Sequence, residues 1–167
     1  MTDPSVDKNE PMTDRSVGKK EQRVVAPKII DKAQKRAELI EAAKAVQKRA
    51  HAPYSKFLVG AALLSTDGEV FTGCNVENCT FGLTTCAEQV AFLKAVSEGT
   101  KSFERIVIYT EAEPPAAPCG LCRQMMVEFC DDLRITLVNH EGRVEHCQLS
   151  EIMPHAFRPS DLEEATD

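Results

Sequence analysis

Apolar residues recur at Ile30, Ala33, Ala37, Ile40, Ala43, Val46 and Ala50, the spacing of one helical face. Asp31 with Gln34 three residues on is an N-cap and capping-box pair, so a helix is predicted over 31–51. Pro53 ends it by disfavouring helix at the residue before. The pattern then turns continuous, Phe57 to Leu64, and after Ser65-Thr66-Asp67-Gly68 resumes from Val70 to Val76: a strand, an Asp-Gly turn and a strand. Thr84-Thr85 are N-cap types for a helix over 86–98 that Gly99 closes. Ile106 to Tyr109 reads as a third strand, and a proline-rich loop over 111–118 leads into a helix over 119–131. Strands over 135–138 and 144–147 around Glu141-Gly142 follow, then a helical turn from Ser150 and an irregular tail. The order predicts an α/β fold, a three-layer α/β/α sandwich on a five-stranded mixed sheet, with 105–138 as a right-handed βαβ crossover.

Residues 1–28 do not join this pattern. Met1-Thr2-Asp3-Pro4-Ser5-Val6 returns as Met12-Thr13-Asp14-Arg15-Ser16-Val17, and so polar a segment buries too little to offset its ordering entropy. A disordered tail over 1–28 and a single domain over 29–167 are expected, since 167 residues suffice for one core. The net charge of −6, with no basic cluster beyond the first half, argues against nucleic acid as partner and favours a small neutral ligand. No run of about 18 apolar residues occurs, and the start is polar, so a cytoplasmic chain with neither membrane span nor signal peptide is expected.

Seven cysteines without an export signal read as thiols or metal ligands rather than a disulfide framework. Cys86-Ala87-Glu88 and Pro118-Cys119-Gly120-Leu121-Cys122 carry the chemistry. Cys86, Cys119 and Cys122 suit one zinc ion with an open fourth position, and Glu88 is then free as general acid/base beside it. This is the layout of zinc deaminases of nucleobases, with Cys86 where some members carry histidine. At helix starts, backbone N–H groups and the dipole favour thiolate over thiol. Two other readings stand beside it: Cys119-x-x-Cys122 as a thioredoxin-type dithiol, and a closed structural zinc with Cys79 as fourth ligand, which makes the chain a binding module. Cys74, Cys130 and Cys147 read as small buried hydrophobes, and the four histidines as solvated or core residues.

Further motifs surround these: Pro53-Tyr54-Ser55-Lys56-Phe57-Leu58-Val59-Gly60-Ala61-Ala62-Leu63, Gly73-Cys74-Asn75-Val76-Glu77-Asn78, and Ala156-Phe157-Arg158-Pro159-Ser160-Asp161-Leu162. With them, the span from about 38 to 162 resembles the cytidine deaminases of the short, three-cysteine type. The resemblance implies zinc on Cys86, Cys119 and Cys122, a zinc hydroxide as nucleophile, and Glu88 as proton shuttle in the deamination of cytidine and deoxycytidine for pyrimidine salvage. It places Asn75 and Glu77 on the ribose hydroxyls and Phe57, Ala87 and Phe157 near the base. It also implies a homotetramer with shared active sites, to which the regions of Tyr54, Phe81 and Phe157 contribute across subunits. Two positions depart from the pattern. Gln89 stands where relatives usually carry an arginine that offsets thiolate charge, a task left here to helix dipoles and Arg123, and Phe81 stands where tyrosine is common.

Overall fold

The computed structural model describes residues 32–163. On β1 (Val59–Ser65), Ala61 and Leu63 enter one core while Ala62 and Leu64 enter another. Successive strand residues point to opposite faces, and both faces are covered here, which is why the sequence runs apolar without alternating. One core is closed by α1 (Lys32–Gln47) through Leu39 and Ala43, which meet Ala62, Leu64, Val107, Tyr109 and Val138. The other holds α2 (Ala87–Ser97) through Ala87, Ala91, Phe92 and Ala95, and α3 (Gly120–Phe129) through Cys122, Met126 and Val127. There Phe92 and Phe103 meet edge to face with ring centroids 4.9 Å apart. The layers are therefore helix, sheet, helix, as predicted.

The sheet runs β2 (Val70–Cys74), β1, β3 (Phe103–Thr110), β4 (Arg134–Val138), β5 (Val144–Gln148). Only β3 and β4, the pair joined through α3, are parallel, so the five-stranded sheet is mixed. At Gly60 of β1, a Cβ would fall 2.1 Å from the Ala43 carbonyl oxygen, so glycine there lets α1 lie directly on the strand. Two short helices, α4 (Leu149–Ile152) and α5 (Pro159–Glu163), finish the described chain.

Several boundaries move. The first helix ends at Gln47 rather than 51 because the His51 N–H donates to the Asn75 carbonyl at 3.0 Å and the His51 carbonyl accepts from the Glu77 N–H at 2.7 Å. Pairing with the site loop replaces the last predicted turn. Asp31, its predicted cap, and the tail over 1–28 lie outside the described residues. Phe57 and Leu58 precede β1 rather than belonging to it; their carbonyls accept from the side chains of Asn75 and Gln47. β2 stops at Cys74, while β3 is longer than predicted. Gly99 closes α2 at φ 96°, as expected. The irregular tail instead forms α5, with Pro159 as its first residue and the Arg158 N–H donating to Asp161 Oδ2 at 2.7 Å.

Candidate metal centre and active site

Cys86 is itself the N-cap of α2, one step beyond the predicted caps Thr84 and Thr85. Thr85 is held extended by exchanging backbone hydrogen bonds with Val76 at 2.9 and 3.0 Å, so the chain enters the helix only after it. The Cys86 N–H then donates to Gln89 Oε1 at 3.1 Å, one half of a capping box. Cys119 is likewise the N-cap of α3, with Cys122 in the first turn. Arg123 fixes that entry: its Nε donates to the Pro118 carbonyl at 2.8 Å and its guanidinium to the Ile152 carbonyl at 2.9 Å. Arg123 is thus a clamp between α3 and α4.

The two helix starts bring three sulfurs together. Cys86 Sγ lies 4.0 Å from Cys119 Sγ, Cys119 Sγ lies 3.5 Å from Cys122 Sγ, and all three fall within 4.8 Å of one another. A tetrahedral zinc with bonds of about 2.3 Å needs its sulfurs about 3.8 Å apart, so the donor set fits that ion. The Cys86 thiol is pulled down to about 7, chiefly by hydrogen bonding from Cys122 and also from Cys119, against burial and the Glu88 charge. The Cys122 thiol moves up, its proton held toward Cys86, with burial adding to the effect. Cys79 is exposed and stays outside this group, its sulfur 3.7 Å from Asn78 Oδ1, so among the described residues the fourth thiolate of a closed site is missing. Cys130 is buried and its thiol pushed up to about 12 by burial, as befits a core residue; Cys74 and Cys147 are half-buried.

Glu88, in the first turn of α2, is only 5% exposed. Burial raises its carboxyl above the ordinary range, with its own backbone N–H and the Cys122 thiol opposing. A cavity of about 250 Å³ opens over this group, lined by Cys86, Ala87, Glu88 and Cys119 and, on the facing wall, Phe57, Asn75 and Glu77. Asn75 positions that wall: its Nδ2 donates to the Phe57 carbonyl at 2.8 Å and its Oδ1 accepts from the Val59 N–H at 2.9 Å. Glu77 accepts from the N–H groups of Tyr54 and Ser55 at 2.9 and 3.2 Å and from the Ser55 hydroxyl, and that hydroxyl is the main reason its carboxyl sits below the usual range.

Of the residues anticipated near a substrate, Tyr54, Phe81 and Phe157 do not line the cavity of their own chain. Tyr54 and Phe81 meet edge to face at 5.8 Å, both exposed, and the Phe157 carbonyl accepts from Gln124 Nε2 at 2.6 Å while its ring is exposed. Sequence reasoning missed Ser55, Val59, Thr84, Ile108, Thr110, Ala116 and Ala117, which complete the wall. Ile108 and Thr110 mark the carboxyl end of β3, where open α/β sheets place their ligands.

Residues 33–137 match the family model described as the cytidine and deoxycytidylate deaminase zinc-binding region. A cytidine deaminase of Sporosarcina psychrophila is 43% identical over 130 residues, covering 77% of this chain and 96% of that protein. A probable cytidine deaminase of Dictyostelium discoideum is 45% identical over 124 residues, covering 74% and 84%. Among solved structures, a cytidine deaminase from Burkholderia pseudomallei superposes with a TM-score of 0.70 at 46% identity, over 72% of this chain and 98% of that one. With the three-cysteine cluster at the helix starts, these matches identify the chain as a member of the cytidine and deoxycytidylate deaminase family.

Proposed function

We propose that this chain is a zinc-dependent hydrolase that converts cytidine and deoxycytidine to uridine and deoxyuridine, in cytoplasmic pyrimidine salvage. The observation that carries the reading is a buried carboxylate, Glu88, beside three converging sulfurs, two of them opening onto one cavity. Membership of the deaminase family makes the chain an enzyme, and its cytidine deaminase relatives support a free nucleoside as substrate.

Cys86, Cys119 and Cys122 would hold the zinc, which supplies Lewis-acid activation of a water at their open side. Glu88 accepts one proton from the attacking water and passes it to the ring nitrogen, then takes the second from the hydroxyl left on the ring carbon and passes it to the departing ammonia, so that the C–N bond is exchanged for C=O. Its burial raises its basicity toward the working pH, which suits a group that must both take and give a proton. Phe57 and Ala87 pack the base, and Asn75 and Glu77 face the ribose. The Ser55 and backbone hydrogen bonds that keep Glu77 ionised leave it an acceptor for sugar hydroxyls.

The catalytic unit is a single domain over 29–167 preceded by a tail over 1–28, working as a homotetramer with shared active sites. Phe81, Leu83 and Leu121 are 73%, 66% and 75% exposed close in sequence to the cluster, a fringe suited to burial by neighbours. Tyr54, Phe81 and Phe157 then reach the cavities of adjacent subunits. Loss of the cytidine absorption band with release of one ammonia per nucleoside tests the activity; absence of turnover of both nucleosides by the zinc-loaded protein contradicts it.

A further inference from the structure

On the sheet face covered by α1, the far side from α2 and α3, a polar row replaces the apolar one. Arg105 lies opposite Arg134 across β3 and β4, and Arg134 opposite Gln148 across β4 and β5. One step along the same face, Thr136 pairs with His146, the hydroxyl 3.2 Å from Nδ1. With Arg36 of α1 these side chains line a cavity of about 330 Å³. Glu151 also lines it, and its carboxylate takes the Gln148 N–H at 2.7 Å. Three guanidiniums against one carboxylate is a sharp local excess in a chain of net charge −6.

Two of those cations want a partner. Arg36 and Arg105 are half-buried, and among the described residues neither makes an ion pair; Arg134 shares its charge with Glu104 at 3.2 Å. Partly buried charges are ordinarily compensated. Gln148 Oε1 is buried in the same cavity with no hydrogen-bond partner among the described residues, and buried acceptors are ordinarily satisfied.

The geometry points to a second ligand site here, taking a nucleoside di- or triphosphate. Guanidinium forks match phosphate oxygens in pairs, and three of them suit an oligophosphate better than a single carboxylate. The unpartnered Gln148 oxygen needs a donor, which a ribose hydroxyl or base amino group provides at any pH. The lining contains no Phe, Tyr or Trp, the imidazole of His146 being its one ring, and its volume suits a small molecule rather than a nucleic-acid strand. This site is separate from the cavity over Cys86 and does not depend on the activity proposed for it.

Calorimetric titration of the zinc-loaded protein with CTP and with pyrophosphate, uridine saturating the candidate active site, tests this. Saturable binding is expected, tighter for CTP, with Arg36→Ala and Arg105→Ala each weakening both ligands about tenfold or more. Melting temperature and cytidine turnover without nucleotide report that the variants remain folded. Gln148→Leu is expected to weaken CTP alone. Absence of saturable CTP binding, or affinity unchanged in the arginine variants, overturns the site; pyrophosphate bound as tightly as CTP, with Gln148→Leu affecting neither, overturns the nucleotide assignment.

Discussion

Gly73 of β2 faces the backbone of α2 so closely that a Cβ there would lie 2.3 Å from the Ala87 carbonyl oxygen and 2.5 Å from the Ala91 N–H nitrogen. Backbone cannot swing aside as a side chain does, so the helix start that carries Cys86 and Glu88 would have to shift. Gly73→Ala is therefore expected to cost about 1–3 kcal/mol of stability, and to lower zinc content and turnover together. Thermal unfolding with metal analysis checks this; a variant with unchanged melting temperature and full activity contradicts it.

Gln89 Oε1 accepts the Cys86 N–H, a bond that arginine, having no acceptor, cannot make. Gln89→Arg is expected to lose about 0.5–1.5 kcal/mol of stability. It should also move the acid limb of the pH–rate profile to lower pH, since a guanidinium near three sulfurs favours the ionised forms. Gln89→Glu keeps the acceptor and the stability. Melting curves and pH–rate profiles of both variants separate capping from charge; Gln89→Arg indistinguishable from wild type in both sinks the assignment.

Glu77 has its carboxyl lowered from the usual value of 4.5, first by the Ser55 hydroxyl. A depressed folded value means that its stabilising contribution is present above the unfolded value and is lost as pH falls below about 4.5 through the folded one. Glu77→Gln is expected to flatten that part of the acid unfolding curve and to raise KM more than it lowers kcat. Unfolding followed by circular dichroism between neutral and acid pH reads the first effect. An acid limb as steep as in wild type contradicts it.

The layer order and the residues of the cluster were legible because they depend on local signals: the unbroken apolar run of β1, the Asp-Gly turn, and cysteines at helix starts. What was not legible depends on distant partners. His51 leaves its helix for Asn75 and Glu77, and Thr85 is drawn out of a capping role by Val76. Arg123 clamps the Pro118 and Ile152 carbonyls, contacts that join α3 to a segment almost thirty residues away. Ser55 and Thr110 line the cavity only because β1, β3 and the loops converge there, and Arg36, Arg105 and Arg134 are too far apart in the chain to suggest one surface. The helix at Pro159 had a readable signal, proline followed two residues later by aspartate.

Glu88→Gln tests the central claim most directly, because it removes the proton shuttle while sparing all three sulfurs. Cytidine turnover and zinc content are measured on wild type and variant prepared alike. The expected result is retention of zinc with kcat lowered about 10²–10⁴-fold, the usual worth of a positioned general acid/base. A variant that keeps its zinc and deaminates cytidine at the wild-type rate would show that Glu88 moves no proton in the reaction.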